Sequence, residues 1–146
     1  MKHVLRGSLL GCAIFLGVAG VVCAGDAEVE KAPIPTHADA ALFFAKYSGL
    51  FERYVDSDAN LTECVTFLNS KGVYFDLMEV VEGREFAIND AARVLAQIHL
   101  IFSGDAEFDQ GQVKLPKGID SWKEFCILND VQFNEGYRAL RLALVS

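Results

Sequence analysis

Three phrases set where helices must begin: Thr36-His37-Ala38-Asp39, Asn60-Leu61-Thr62-Glu63 and Ser121-Trp122-Lys123-Glu124. Each puts a side-chain oxygen three residues ahead of a carboxylate. The first group can take the amide of the third helical residue, while the acid reaches back to the cap amide. Asn89 or Asp90 offers a further cap before "AARVLAQIHLIFSG". Gly72, Gly83 and Gly104 follow apolar stretches where a helix would need a left-handed exit. A chain punctuated this often by helix starts and stops leaves little room for long strands. It predicts a mostly α, single-domain bundle of five or six helices over residues 36–146.

Apolar spacing fills in the helices. Phe43, Tyr47, Leu50 and Tyr54 recur at helical intervals, flanked by Phe44, Phe51 and Val55. They predict a first helix of about five turns, weakened at Gly49 by about 1 kcal/mol relative to Ala. Leu61, Cys64, Val65 and Leu68 form the inner stripe of the next helix. "VYFDLMEVVEG" could be a strand by length and β-branching. The spacing of Tyr74, Leu77, Met78 and Val81 on one helical face, with Asp76, Glu79 and Glu82 opposite, instead predicts a short helix ending at Gly83. Ala91, Val94, Leu95, Ile98 and Ile101 or Phe102 face inward from the following helix. Trp122, Phe125, Cys126 and Asn129 do so near the end, and Phe133, Tyr137, Leu140 and Leu144 last.

One stretch breaks the helical pattern. "DAEFDQGQVKLPKG" holds turn chemistry at Asp109-Gln110-Gly111 between Phe108 and Val113, and it predicts an irregular loop or small β-hairpin inserted at about 104–118.

The front of the chain reads as an address. Lys2 and Arg6 precede an uncharged run from 8 to 22, and Val22-Cys23-Ala24 offers small side chains at a cleavage site. Residues 1–24 are therefore expected to be a secretory signal cut after Ala24. The alternatives are an uncleaved anchor through residues 8–24 and, from Leu9-Leu10-Gly11-Cys12, a lipoprotein box. Residues 25–35, polar with two prolines, read as a flexible leader.

Export changes what the charges and cysteines mean. Of the 13 Lys and Arg, Lys2 and Arg6 leave with the signal; the remaining 11 face 20 Asp and Glu, a net charge near −9. Such a chain lacks the basic face that nucleic acid demands and is repelled by anionic lipid. The expectation is no nucleic acid and, once the signal is removed, no membrane. Cys64 and Cys126 remain, and an even pair in an oxidising compartment predicts one disulfide between them, with two buried free thiols as the alternative.

The residues suggest little catalytic chemistry. A nucleophilic Cys126 would need a base, and only His37 and His99 remain. His37, in a first helical turn, is expected to be exposed, and His99 to edge an apolar stripe. Two cysteines and two scattered histidines do not make a zinc cage. Asp56, Asp58 and Asn60 resemble the start of a calcium loop, but Leu61 and Phe67 stand where glycine and a bidentate glutamate belong. No catalytic residue, metal or other cofactor is expected. The leading expectation is a secreted or periplasmic, non-catalytic module that binds another protein through a loop carrying Phe108, Val113 and Leu115, unless these three fold back to cover the bundle. The alternatives are an apolar small-molecule or lipid carrier using the stripe from Phe43 to Tyr54, and a hydrolase built on paired carboxylates.

Overall fold

The computed structural model describes residues 31–146; the expected signal and the first part of the leader lie outside them. Within the described residues are six α-helices: α1 His37–Leu42, α2 Leu61–Lys71, α3 Leu77–Glu82, α4 Ile88–Ser103, α5 Trp122–Leu128 and α6 Phe133–Ala143. A two-stranded antiparallel hairpin, β1 Phe108–Asp109 and β2 Gln112–Val113, follows α4. The mostly helical class with one small hairpin is as the caps and spacing predict.

The caps act as their residue types require. Thr36 Oγ1 accepts from Asp39 N at 3.1 Å while Asp39 accepts from Thr36 N at 2.9 Å. Asn60 and Glu63 exchange bonds the same way, at 2.9 and 2.8 Å. Ser121 accepts from Glu124 N, but Glu124 reaches one residue further back, to Asp120 N at 2.8 Å. α4 differs: neither Asn89 nor Asp90 is its cap. The helix starts at Ile88, and Asp90 in the first turn takes the amide of Ala87 at 2.8 Å.

α4 is the axis. Ala91, Ala92, Val94, Ala96 and Ile98 have no exposed surface, and Leu95, His99 and Leu100 are also buried. A helix apolar around its whole circumference must be surrounded. α5 and α6 cover one side, and β2 also packs on it. α1 packs on α2 and α3. Phe44, Phe75 and Phe86 join these parts into one core, with Phe75 and Phe86 stacked at 6.1 Å between centroids.

The first helix is shorter than its spacing predicts. α1 passes into a π-helical turn, Phe43–Tyr47, and helical structure stops there. Ser48 Oγ donates to Phe44 O at 2.9 Å and accepts from Leu50 N at 3.2 Å, and Gly49 turns left-handed at φ 86°. A hydroxyl that bonds backbone on both sides competes with helix continuation. The aromatic stripe is split as a result. Phe43, Phe44 and Phe51 are buried, whereas Tyr47 and Tyr54 are exposed.

The packed body also begins before Thr36. Ala32 and Pro35 are buried, Phe86 N donates to Pro35 O at 2.8 Å, and Arg141 on α6 donates to the carbonyl of Ala32. The later residues of the expected flexible leader are therefore held down. Two prolines mark a segment that cannot be helical, which is not the same as one that is loose.

Candidate functional site

The chain leaves α2 through Gly72, at φ 98°, and runs extended from 73 to 76. In an extended segment side chains alternate, so Val73 and Phe75 point into the core and Tyr74 points out. Asn69 acts as a stand-in strand partner: its side chain accepts from Phe75 N at 2.7 Å and donates to Phe75 O at 3.0 Å. Asp76 then caps α3 by accepting from Met78 N at 2.9 Å.

Packing decides which face of α3 lies inside. Its buried side chain is Val80. Leu77, Met78 and Val81 are 53%, 61% and 72% exposed, and Tyr74 sits beside them at 36%. These are the four residues whose spacing predicted a single helical face. Helical spacing finds an apolar stripe but cannot say which side the rest of the molecule occupies. Here Val73, Phe75 and Val80 fill the core, and the second apolar stripe is left outside.

Gln97, fully buried on α4, holds this segment in place. Its Oε1 accepts from Tyr74 N at 3.1 Å and from Arg93 Nη1 at 3.1 Å, while its Nε2 donates to Val113 O at 2.8 Å. Arg93 also donates to Tyr74 O at 2.7 Å and lies 5.7 Å from the Tyr74 ring centroid. Burial of Arg93 disfavours its charge and nearby Asp90 and Glu79 favour it, with burial the larger effect. No sequence pattern flags Gln97, because its partners lie 23 and 16 positions away.

Behind α3 is a cluster that sequence reasoning missed. His37 is buried, not exposed, because the chain at Thr36 pairs with Glu85 and His37 N donates to Arg84 O at 2.9 Å. Its Nδ1 lies 3.0 Å from the same carbonyl, which can only accept, so Nδ1 carries a proton. Nε2 stands 3.6 Å from Glu79 and 3.9 Å from Asp90, beyond good hydrogen-bond length of either. Two carboxylates thus converge on a histidine, but the ring is sealed between Phe75 and Phe86. With its side chain only 4% exposed, a substrate cannot reach it in this conformation. The Glu79 carboxylate is also 3.8 Å from Arg84, which pairs with Glu82 at 3.4 Å.

The predicted loop residues separate. The hairpin forms, with Phe108 opposite Val113 across a turn in which Gln110 and Gly111 both have positive φ. Val113 is 1% exposed and donates to Gly72 O at 2.9 Å. Leu115 is half-buried against the core. Phe108 alone of the three is exposed, at 54%, and its ring edge lies over Gly72. The loop mostly folds back on its own domain.

The expected disulfide is not formed: Cys64 and Cys126 are both buried free thiols. α2 carries Cys64 against α1 and the π turn, whereas α5 carries Cys126 against α4. Cys126 Sγ donates to Ala92 O at 3.4 Å. Burial pushes the Cys126 thiol up to about 12 and also raises that of Cys64. Neither ionises readily, so neither has the thiolate that nucleophilic chemistry uses. Inward-facing cysteines on two helices need not face each other, and periodicity cannot tell these cases apart. His99 is buried edge-on to Phe125 at 6.0 Å.

Among the described residues, no group of three or more His, Cys, Asp or Glu side chains is arranged to hold a metal ion. No helix among them is long and apolar enough to cross a membrane. A depression of about 240 Å³ at the α5–α6 turn is lined by Asp130, Gln132, Asn134 and Glu135 beside Val131 and Phe133. Neither a family profile, nor a curated protein, nor a solved structure shows significant similarity to this chain.

Proposed function

We propose that the chain is an exported, non-catalytic module that binds another protein through the outward ridge of α3. The observation that carries this reading is the exposure of Leu77, Met78 and Val81 on a single face of one short helix, with Tyr74 at its edge. Scattered exposed apolar residues are ordinary on a protein surface, but grouped ones mark contact sites. Phe108 is exposed over Gly72, and Gly72 precedes Tyr74 by two residues in the chain. The carrier reading gains nothing from the fold, because Phe43, Phe44 and Phe51 are packed into the core. Export rests on residues 1–24 as a secretory signal, and N-terminal sequencing of the mature protein is expected to read Gly-Asp-Ala-Glu.

The docking test uses the mature protein and two variants, Leu77→Ser/Val81→Ser and Phe108→Ser. Partners are captured by crosslinking and compared. Loss of specific partners in the α3 variant, at unchanged thermal stability, is the expected outcome. Identical partner sets from all three proteins would remove both surfaces from the reading.

A further inference from the structure

We propose that the α3 ridge takes a cationic, amphipathic segment of another protein; this rests on the interaction reading above and adds the chemistry of the partner. The ridge presents Leu77, Met78 and Val81 to solvent. Burying them is favourable, and the unbranched Met78 can adapt its shape to what covers it. α3 has six residues, so at about 1.5 Å per residue it offers roughly 9 Å of helix. That suits a turn or two of a partner segment, not a broad interface.

Charge decides the occupant. Between Asp76 and Asp90 the chain carries five carboxylates, on Asp76, Glu79, Glu82, Glu85 and Asp90, against one guanidinium, on Arg84. Arg84 is already engaged by Glu79 at 3.8 Å and Glu82 at 3.4 Å. Arg93, at the Tyr74 end, is engaged by Tyr74 O and Gln97. Glu82, which Arg84 holds at 3.4 Å, and Glu85 stay exposed within four residues of Val81 in the chain. A second copy of this chain is the wrong occupant, because a two-fold contact would press two acidic segments together. Anionic lipid and nucleic acid are repelled for the same reason. A segment with lysine or arginine flanking a small apolar face satisfies both the ridge and its rim.

The test titrates the mature protein with a short fluorescent lysine–leucine amphipathic peptide and with its glutamate–leucine counterpart, by anisotropy at low and high salt. Two surface variants, Leu77→Ser/Val81→Ser and Glu82→Gln/Glu85→Gln, keep the Asp76 cap and the Glu79 contact intact, and thermal melts verify their folds. The lysine peptide is expected to bind, each variant to weaken it by about tenfold, and salt to weaken it further. Equal binding of the glutamate peptide, or lysine-peptide binding that ignores both variants, overturns the proposal. A photo-crosslinker at position 78 separates the two levels of the argument. If both peptides fail while that site captures a specific partner, the cationic class falls and the docking reading survives. If the crosslinker captures nothing as well, both fall.

Discussion

α4 and α3 are both apolar helices, and they meet opposite fates. α4 is buried around its circumference because α5, α6 and β2 pack against it and the Phe44–Phe86 core fills the rest. α3 buries Val80 and leaves Leu77, Met78 and Val81 in water. Apolar content alone does not separate them. The neighbours do, and those neighbours are set by contacts between residues far apart in the chain. A helix with more apolar surface than its own fold covers has some left over for another molecule, and that is what distinguishes α3.

Substitutions can break or sharpen this contrast. The largest effect belongs to α4. Ile98→Ala removes a fully buried side chain and is expected to lower the unfolding free energy by about 3 to 4 kcal/mol in urea titration. A loss below about 1 kcal/mol would mean that α4 is not the packed axis.

Gly72→Ala comes next. A Cβ there would stand 2.8 Å from Phe108 and 2.9 Å from Val113, on a backbone already left-handed. A cost of about 3 kcal/mol is expected from strain and overlap together. Gly83→Ala, left-handed but with no atom within 4 Å of the added Cβ, should cost only about 1 kcal/mol. Equal losses at the two positions would show that the hairpin does not rest on Gly72.

Gln97→Leu leaves Tyr74 N and Val113 O without their buried partner. An expected loss of about 2 kcal/mol should come with faster hydrogen exchange at Tyr74. Unchanged exchange there would remove Gln97 as the tie between α4 and the segment leading into α3.

The cysteines report on the interior without a substitution. In the folded protein at pH 8, Cys64 and Cys126 should resist iodoacetamide, and both should react once the chain is unfolded without reductant. One missing pair of alkylations after unfolding would reveal a disulfide. The Cys126 thiol keeps its proton up to about 12 when folded, against 9.0 for the ordinary group. The folded state therefore binds more protons than the unfolded one in that interval, and this group lowers stability as pH rises through it.

The smallest effect is expected on the ridge. Leu77→Ser/Val81→Ser should change stability by no more than about 0.5 kcal/mol, since both side chains are already exposed. A loss of several kcal/mol would put α3 among the structural helices and erase the contrast with α4.

Much of the fold could be read from local chemistry. The bonds at Thr36, Asn60 and Ser121, and the left-handed exits at Gly72, Gly83 and Gly104, involve residues within one turn of each other. Such signals lie complete within a short window. The hairpin was legible for the same reason, through Gln110-Gly111. What could not be read depends on distant partners. His37 is buried because residue 36 pairs with residue 85. The first helix is a local exception: it stops where Ser48 turns its hydroxyl back to Phe44, four residues away, beside a left-handed Gly49, a choice that the apolar spacing of Phe43 to Tyr54 conceals. The ridge itself was visible as a stripe, but its direction was not.

The bond from Arg141 to the carbonyl of Ala32 joins residues 109 positions apart. As a ribosome makes the chain, the acceptor emerges first and must wait for almost the whole domain before its donor exists. Tyr137 likewise donates to Phe86 O at 3.0 Å across 51 positions. Closure is thus a late event, postponed until the last helix is released, and an unfinished chain has no way to complete it.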